Sequence, residues 1–68
     1  MKASYKVREA YYKADGRDWV CEFRIDGKLN QEYHGTGGTG INLYRTEAKA
    51  YEAGARYLDK MREHGFQT

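Results

Sequence analysis

Apolar and polar residues alternate along the first half of this chain, and the spacing becomes helical in the last third. Residues 4–14 and 19–25 alternate as strands do, and a weaker alternation continues over residues 28–34. A glycine-rich stretch, residues 35–40, precedes residues 47–64, in which the apolar positions recur with the period of a helix. The pattern predicts an α+β fold in which a three-stranded antiparallel meander packs on one C-terminal helix, in the order β-β-β-α.

Local signals mark the ends of these elements. Asp15-Gly16 and Asp26-Gly27 favour tight hairpin turns, because both residue types tolerate the positive φ that such turns require. Thr46 is suited to cap the helix N-terminus, and Gly65 is suited to end the helix. The alternation is imperfect at Glu9, which predicts a bulge in the first strand near that position.

The alternation also assigns the two faces of the sheet. Because neighbouring residues of a strand point to opposite sides, one face is apolar and is predicted to lie under the helix. The predicted core face comprises Tyr5, Val7, Tyr11, Trp19, Cys21, Phe23, Ile25, Leu29 and Tyr33. The opposite face comprises Lys6, Arg8, Tyr12, Val20, Glu22, Arg24, Asn30, Glu32 and His34. The helix is predicted to bury Ala48, Tyr51, Gly54, Ala55, Leu58 and Met61.

The composition is typical of a small intracellular domain. The 68 residues predict a single domain, residues 1–68, whose small core is made dense by large rings, since the chain has seven tyrosines. Its one cysteine, Cys21, cannot form an internal disulfide. The sequence shows neither the apolar region of a signal peptide nor an apolar run long enough to cross a membrane. These features predict a soluble, cytoplasmic protein without a membrane partner.

Basic charge is concentrated in the first strands. The formal net charge is only +2. Residues 1–28 carry seven basic and five acidic side chains, whereas residues 29–68 carry five of each. The position of the positive charge says more than its amount, and it agrees equally with a nucleic-acid partner and with solvated surface charge that keeps the protein in solution.

The sequence contains no arrangement typical of an enzyme. Residues 35–40 match the pattern G-x-G-x-x-G, but the helix begins about six residues later and no strand follows it, which disfavours a nucleotide site. His34, His64 and Cys21 have neither the spacing of metal ligands nor that of a nucleophile and its base. Cys21 is predicted on the core face, where burial raises the pKa of a thiol. We therefore predict a non-enzymatic protein with no cofactor, metal or small-molecule substrate.

Three motifs carry a resemblance to a known family. They are the strand Trp19-Val-Cys-Glu-Phe-Arg24, the Asp26-Gly27 hairpin with a third strand ending in glycine, and the helix opening Tyr44-Arg-Thr-Glu-Ala-Lys-Ala50. From Val7 to Met61 the sequence resembles the AP2-like, arm-type DNA-binding domains of phage and transposon tyrosine integrases. The resemblance implies that the face opposite the helix lies in the major groove of DNA. By position it assigns base or sugar contacts to Lys6, Arg8, Tyr12, Arg24, Asn30 and His34. It assigns phosphate contacts to Lys13, Arg17 and Lys28.

Two main hypotheses of function result. The first is a small accessory protein of a phage or another mobile element that binds double-stranded DNA through this sheet face. The alternative is a protein-interaction or inhibitor module that uses the same face, or that pairs a strand edge with a partner or with a second copy in a homodimer. The small net charge and the acidic residues Glu22 and Glu32 favour the alternative. A third hypothesis is binding of double-stranded RNA, because the element order strand-strand-strand-helix resembles part of a double-stranded-RNA-binding domain. The N-terminal helix of that domain has no counterpart in this sequence.

Overall fold

A computed structural model describes residues 1–14, 16–33 and 39–68 of the chain, without the side chains of residues 12–14. Within this part are the strands β1 (Ala3–Ala14), β2 (Arg17–Ile25), β3 (Lys28–Leu29) and β4 (Ile41–Tyr44) and the helix α1 (Glu47–Glu63). The strands form one antiparallel sheet and the helix is C-terminal, which confirms the predicted α+β class with its β-β-β-α order. The predicted turn residue Asp15, the predicted strand residue His34 and residues 35–38 of the glycine-rich stretch lie outside the described residues.

Strand β2 is the centre of the sheet. One side of it pairs with β1, in a register that runs over residues 19–25 of β2. The other side pairs with β3 at residues 24–25 and with β4 at residues 19–22, both antiparallel. β3 and β4 therefore follow one another along the same edge of β2, and the sheet is three strands wide.

The third strand is interrupted, and the prediction of a continuous strand over residues 28–34 is wrong. The chain leaves the edge of β2 after Asn30, whose N–H donates to the Phe23 carbonyl at 2.7 Å. It rejoins the edge at Gly40, whose carbonyl accepts from the Phe23 N–H at 2.8 Å. Gly40 has a φ of 73°, and a Cβ there would lie 2.9 Å from the Asn30 carbonyl oxygen. Only glycine lets the two ends of the interruption meet so closely.

The core lies between the sheet and α1. Phe23 and Tyr57 are 2% and 0% exposed, and their ring centroids lie 4.9 Å apart. The ring of Tyr33 completes this cluster, with its centroid 4.5 Å from that of Tyr57. The Tyr57 hydroxyl donates to the Arg24 carbonyl at 2.8 Å, so a hydrogen bond inside the core joins the helix to the central strand. The predicted core positions Tyr5, Val7, Trp19, Cys21, Phe23, Ile25 and Tyr33 are confirmed.

The helix buries a stripe that matches the predicted one only in part: Gly54 and Met61 are buried as predicted, and Leu58 packs against the core. The buried residues are Ala50, Ala53, Gly54, Tyr57 and Met61. Ala48, Tyr51 and Ala55, which were expected in the core, are exposed. Relative to the prediction, the buried side of the helix is rotated by about 100° around the helix axis, which is the angle between one residue and the next. Alanines on both sides leave its apolar stripe undefined, so tertiary contacts decide: Tyr57, which was not in the predicted stripe, packs on the rings of Phe23 and Tyr33.

The predicted ends of the elements are confirmed where the structure describes them. Asp26-Gly27 has φ values of 51° and 81°, the positive pair that a two-residue hairpin turn requires. The Thr46 hydroxyl accepts from the Lys49 N–H at 3.1 Å and so caps α1. Gly65, with a φ of 91°, follows the end of the helix.

The first strand is irregular where a bulge was predicted. Its pairing with β2 shifts register between Glu9 and Ala14. The irregularity ends the simple alternation that assigned Tyr11 to the core, and that assignment is wrong, because Tyr11 is 90% exposed.

Candidate functional site

The face of the sheet turned away from α1 is the candidate site, and we call it the open face. The register defines its members, because residues directly opposite one another in an antiparallel pair point to the same side. Lys6, for example, lies opposite Glu22, which in turn lies opposite Ile41. The open face comprises Ser4, Lys6, Arg8, Ala10, Val20, Glu22, Arg24, Leu29, Ile41 and Leu43.

Glu22 joins the two arginines of the open face. Its Oε2 accepts from Arg8 Nε at 2.9 Å, and its Oε1 accepts from Arg24 Nη2 at 2.7 Å and Arg24 Nε at 3.1 Å. Each arginine also donates to a backbone carbonyl, Arg8 to Glu9 at 3.2 Å and Arg24 to Gly27 at 2.6 Å. Glu22 is only 7% exposed, so the arginines compensate a carboxylate that the fold has largely removed from water.

Opposing effects act on the pKa of Glu22. Burial raises this pKa because it penalises the charged form, whereas hydrogen bonds and charges from Arg8 and Arg24 lower it. The arginines outweigh burial, and the pKa of Glu22 lies below its ordinary value of 4.5. The carboxylate is therefore ionised at neutral pH, and the two guanidinium groups leave the cluster with a net positive charge.

An apolar group lies beside this charged cluster. Val20 is 3% exposed although it lies on the face that the helix does not cover. Leu43 is 39% exposed and Tyr11 is 90% exposed, and the Arg8 guanidinium lies 5.6 Å from the centroid of the Tyr11 ring. A shallow depression on this side is lined by Arg8, Ala10, Tyr11, Val20, Ile41 and Leu43. The open face thus offers charged and apolar contacts next to each other.

Of the other basic residues predicted at the site, Lys6 lies on the open face and is exposed. Arg17 begins β2 and Lys28 lies opposite Ile25 at its end, so these two exposed residues are separated along the strand by about 25 Å. The alternation of β2 places both on the side of the sheet that carries α1. The side chains of Tyr12 and Lys13, and all of His34, lie outside the described residues.

Asn30 does not lie on the open face, and its predicted place there is wrong. Its side-chain amide donates to the Tyr57 hydroxyl at 3.3 Å, on the side of the helix. Leu29, which was predicted to face the core, lies opposite Arg24 instead. The side chains of the third strand thus point to the opposite faces from those predicted, because its register differs from the expected one by one residue. Glu32 also lies away from the open face, in a cavity beside the C-terminal end of α1.

Sequence reasoning missed three residues at or near the open face. Ile41 and Leu43 belong to β4, which was not predicted. The Arg45 guanidinium lies beside the first hairpin, where a Cβ on Gly16 would be 3.1 Å from Arg45 Nη1. The signal for β4 was present in the alternating segment Ile41-Asn-Leu-Tyr44, but four residues are too few to distinguish a strand from a loop.

The remaining chemistry of the described residues is limited. They contain no group of three or more His, Cys, Asp or Glu side chains placed to hold a metal ion. Cys21 is fully buried, and burial raises the pKa of its thiol to about 11, with a further contribution from the charge of Glu22. The predicted direction of this shift is confirmed, and the thiol is protonated at neutral pH. The described helix is not long and apolar enough to span a membrane.

Comparisons of this chain with protein-family profiles, with curated proteins and with solved structures found no match.

Proposed function

We propose that this protein is a small, non-enzymatic module that binds double-stranded DNA through the open face. The observation that carries the proposal is the attachment of Arg8 and Arg24 to Glu22, which holds two guanidinium groups side by side on the uncovered face of a sheet. Arginine is the residue that most often reads guanine edges in the major groove. An origin in a phage or another mobile element rests on the family resemblance and stays a prediction.

The width of the sheet suits the major groove. Neighbouring strands lie about 4.8 Å apart, so the axes of three strands span about 10 Å. The major groove of B-DNA is about 12 Å wide and accepts β-structures as well as helices. Because α1 covers the other face of the sheet, it would remain outside the groove.

The two arginines retain donors for a ligand. A guanidinium group has five N–H donors. Arg24 makes three hydrogen bonds, to Glu22 and Gly27, and Arg8 makes two, to Glu22 and Glu9, within the described residues. The remaining donors are held in place, which lowers the entropy cost of a contact with a base. We assign Glu22 the role of a positioning residue, since both of its oxygens are already engaged.

The neighbours of the arginines fit the same partner. Leu43 and Ile41 supply the apolar contact that recognises a thymine methyl group. Lys6 is exposed on the open face and can neutralise a phosphate beside the groove. Affinity would then come mainly from the phosphate contacts and base preference from the arginines.

The test is an NMR titration of the ¹⁵N-labelled protein with a short duplex of random sequence, at low and then at moderate salt. We expect shifts of the amides in β1, β2 and β4 that weaken as salt is added, because counterion release drives the binding. Shifts confined to α1, or no shifts at low salt, would overturn the proposal.

A pair of lysine variants makes the test specific to the open face. Lys6→Ala removes an exposed charge from that face and leaves the arginine cluster intact, so the fold is expected to be retained. We expect it to weaken duplex binding for all sequences and to reduce the salt slope by about one unit. Lys49→Ala is the control, because Lys49 lies on α1, where it pairs with Glu52 at 3.4 Å. An equal loss in both variants would contradict the assignment of the face.

A protein partner is the second candidate for the open face. It is favoured by the exposure of Tyr11 and Leu43 beside the arginines, since aromatic residues and arginine are common anchors of protein interfaces. The titration separates the candidates, because a protein interface would leave the amides of the open face unaffected by the duplex.

A further inference from the structure

The two outer edges of the sheet differ in how their backbone groups are satisfied. At the β4 edge, side chains of the same segment occupy the outward groups. The Ile41 N–H donates to Thr39 Oγ1 at 3.3 Å, and the Thr39 hydroxyl is within hydrogen-bond distance of the Ile41 carbonyl at 3.2 Å. The Leu43 N–H donates to Asn42 Oδ1 at 3.0 Å. Both outward N–H groups of this edge are therefore occupied, which disfavours pairing with a further strand.

At the β1 edge, the beginning is covered, and farther along the edge the Glu9 carbonyl accepts from Arg8 at 3.2 Å. The Lys2 carbonyl accepts from the Asp26 N–H at 2.8 Å, so even-numbered residues of β1 direct their backbone groups toward β2 and odd-numbered ones direct them outward. The C-terminal segment pairs with the first outward groups, because the Ala3 N–H donates to the Gln67 carbonyl at 2.7 Å. Beyond this point, the outward N–H and C=O groups of Tyr5 and Val7 have no partner within the described residues.

The side chains along this edge specify what could pair with it. On the open face, Lys6 is exposed and Arg8 is partly exposed, which favours acidic residues on an added strand. On the helix face, the ring of Tyr5 packs edge-to-face on that of Tyr51, with 6.2 Å between the centroids, and Tyr51 is 48% exposed. These rings favour apolar residues at the alternate positions of an added strand.

We infer that the outer edge of β1 binds an extended segment of another protein in which acidic and apolar residues alternate. This segment joins the sheet as a further strand, and it pairs with the part of β1 that follows Ala3, where Gln67 is bound. Backbone hydrogen bonds to Tyr5 and Val7 supply the affinity, and the alternating side chains supply the selectivity. The inference goes beyond DNA binding, since its backbone contacts lie at the strand edge, and it shares only Lys6 and Arg8 with the open face.

A second copy of this chain fits the edge less well. Antiparallel pairing of two β1 strands centred on Val7 would place Lys6 opposite Arg8 of the copy, and pairing centred on Lys6 or Arg8 would place like residues opposite each other. Like charges directly opposite one another are destabilising. An acidic segment meets the same positions with opposite charge.

The test uses a blocked peptide of about seven residues in which glutamate and valine alternate. Amide hydrogen exchange of the protein is followed by NMR with and without the peptide. In the free protein we expect fast exchange at Tyr5 and Val7 and slow exchange at Lys6 and Arg8, because only the latter pair with β2. With the peptide, exchange at Tyr5 and Val7 is expected to slow about tenfold or more, and the effect is expected to weaken with salt.

Three controls separate strand addition from other binding. A peptide with lysine in place of glutamate tests the charge, and a peptide N-methylated at alternate residues cannot pair through its backbone; both are expected to bind about tenfold more weakly or worse. Val7→Pro removes one outward N–H and leaves the ladder to β2 intact, and it is expected to abolish the protection at Tyr5. If this variant does not fold, the methylated peptide decides the question alone.

Three results would overturn the inference. One is equal binding of the methylated and unmethylated peptides. Another is an unchanged exchange rate at Tyr5 and Val7 when the acidic peptide is saturating. The third is slow exchange of these amides in the free protein together with a dimeric mass by light scattering, which would identify a second copy as the occupant.

Discussion

Single residues on the open face combine opposing requirements. Glu22 is removed from water and yet charged, and this is possible only because Arg8 and Arg24 supply hydrogen bonds to both of its oxygens. Taking away either partner therefore leaves part of a buried charge uncompensated, which costs more than the ion pair itself contributes. The cluster thus links the stability of the sheet to the orientation of its arginines.

The stability of the fold is expected to depend on the ionisation of Glu22. Because its folded pKa lies below 4.5, the unfolded chain takes up protons before the folded one as the pH falls. The ion pairs stabilise the fold at pH values above the pKa that Glu22 has in the unfolded chain. This stabilisation is lost as the pH falls through the pKa that Glu22 has in the folded protein. Near neutral pH we expect Glu22→Gln to lower the free energy of unfolding by about 1 to 3 kcal/mol, and by less in acid. Urea unfolding of both proteins down to about pH 3 measures the difference, and a difference that persists in acid would contradict the assignment.

The hydroxyl of Tyr57 is expected to stabilise the fold by a measurable amount. It donates to the Arg24 carbonyl and accepts from the Asn30 amide inside the core. We expect Tyr57→Phe to lower the free energy of unfolding by about 1 to 2 kcal/mol, because it removes both of these hydrogen bonds. Tyr51→Phe is the matched control, since Tyr51 is 48% exposed, and a change within about 0.5 kcal/mol is expected. Equal effects in urea unfolding would indicate that the core hydrogen bonds contribute nothing.

At the scale of elements, the main feature is the interrupted third strand. β3 and β4 share one edge of β2, and both hydrogen bonds that hold the ends of the interruption are made by the backbone of Phe23. The interruption keeps the sheet three strands wide and brings Ile41 and Leu43 onto the open face. Without the return of the chain at Gly40, the apolar half of the candidate site would be absent.

The closeness of this junction predicts that Gly40 tolerates no side chain. Gly40→Ala adds a Cβ at 2.9 Å from the Asn30 carbonyl oxygen, at a positive φ. We expect it to lower the free energy of unfolding by about 2 to 4 kcal/mol, from backbone strain and overlap together. Gly27→Ala is the control, because Gly27 also has a positive φ, 81°, but a Cβ there would have no atom within 4 Å. We expect this variant to lower the free energy of unfolding by about 1 kcal/mol. Similar midpoints of thermal unfolding for the two variants would show that the junction is looser than described.

At the scale of the whole molecule, the two ends of the chain are joined. Gln67 pairs with the residues around Lys2 as a parallel bridge, and Phe66 packs against the core next to it. The last residues thereby cover both the end of the core and the first part of the β1 edge. A domain this small buries only about 60% of the surface of its unfolded chain, so such a contribution is a sizeable part of its stability.

This closure predicts different effects at two neighbouring positions. Phe66→Ala removes a half-buried ring, and we expect the free energy of unfolding to fall by about 1 to 3 kcal/mol and the Ala3 amide to exchange faster. Gln67→Ala keeps the backbone bridge, and a change within about 0.5 kcal/mol is expected. A larger loss in Gln67→Ala than in Phe66→Ala would mean that the side chain of Gln67, and not the packing of Phe66, holds the ends together.

The sequence by itself determined the elements whose signals are local. The alternation of β2, the Asp26-Gly27 turn, the Thr46 cap and the stop at Gly65 were all predicted, because each depends on a few neighbouring residues and on backbone preference. The open face could be predicted as far as Lys6, Arg8, Glu22 and Arg24, because these belong to the two long strands.

The tertiary structure alone decided the features that depend on distant residues. The place where the third strand breaks, and hence the face of Asn30, follows from the meeting of Asn30 and Gly40 at Phe23. The rotation of α1 follows from the packing of Tyr57 on Phe23 and Tyr33, since a stripe of alanines has no preferred side of its own. The pairing of Arg8 and Arg24 with the buried carboxylate of Glu22 likewise depends on the register of two strands. No local sequence pattern shows which charged side chains will share a partner when the fold removes them from water.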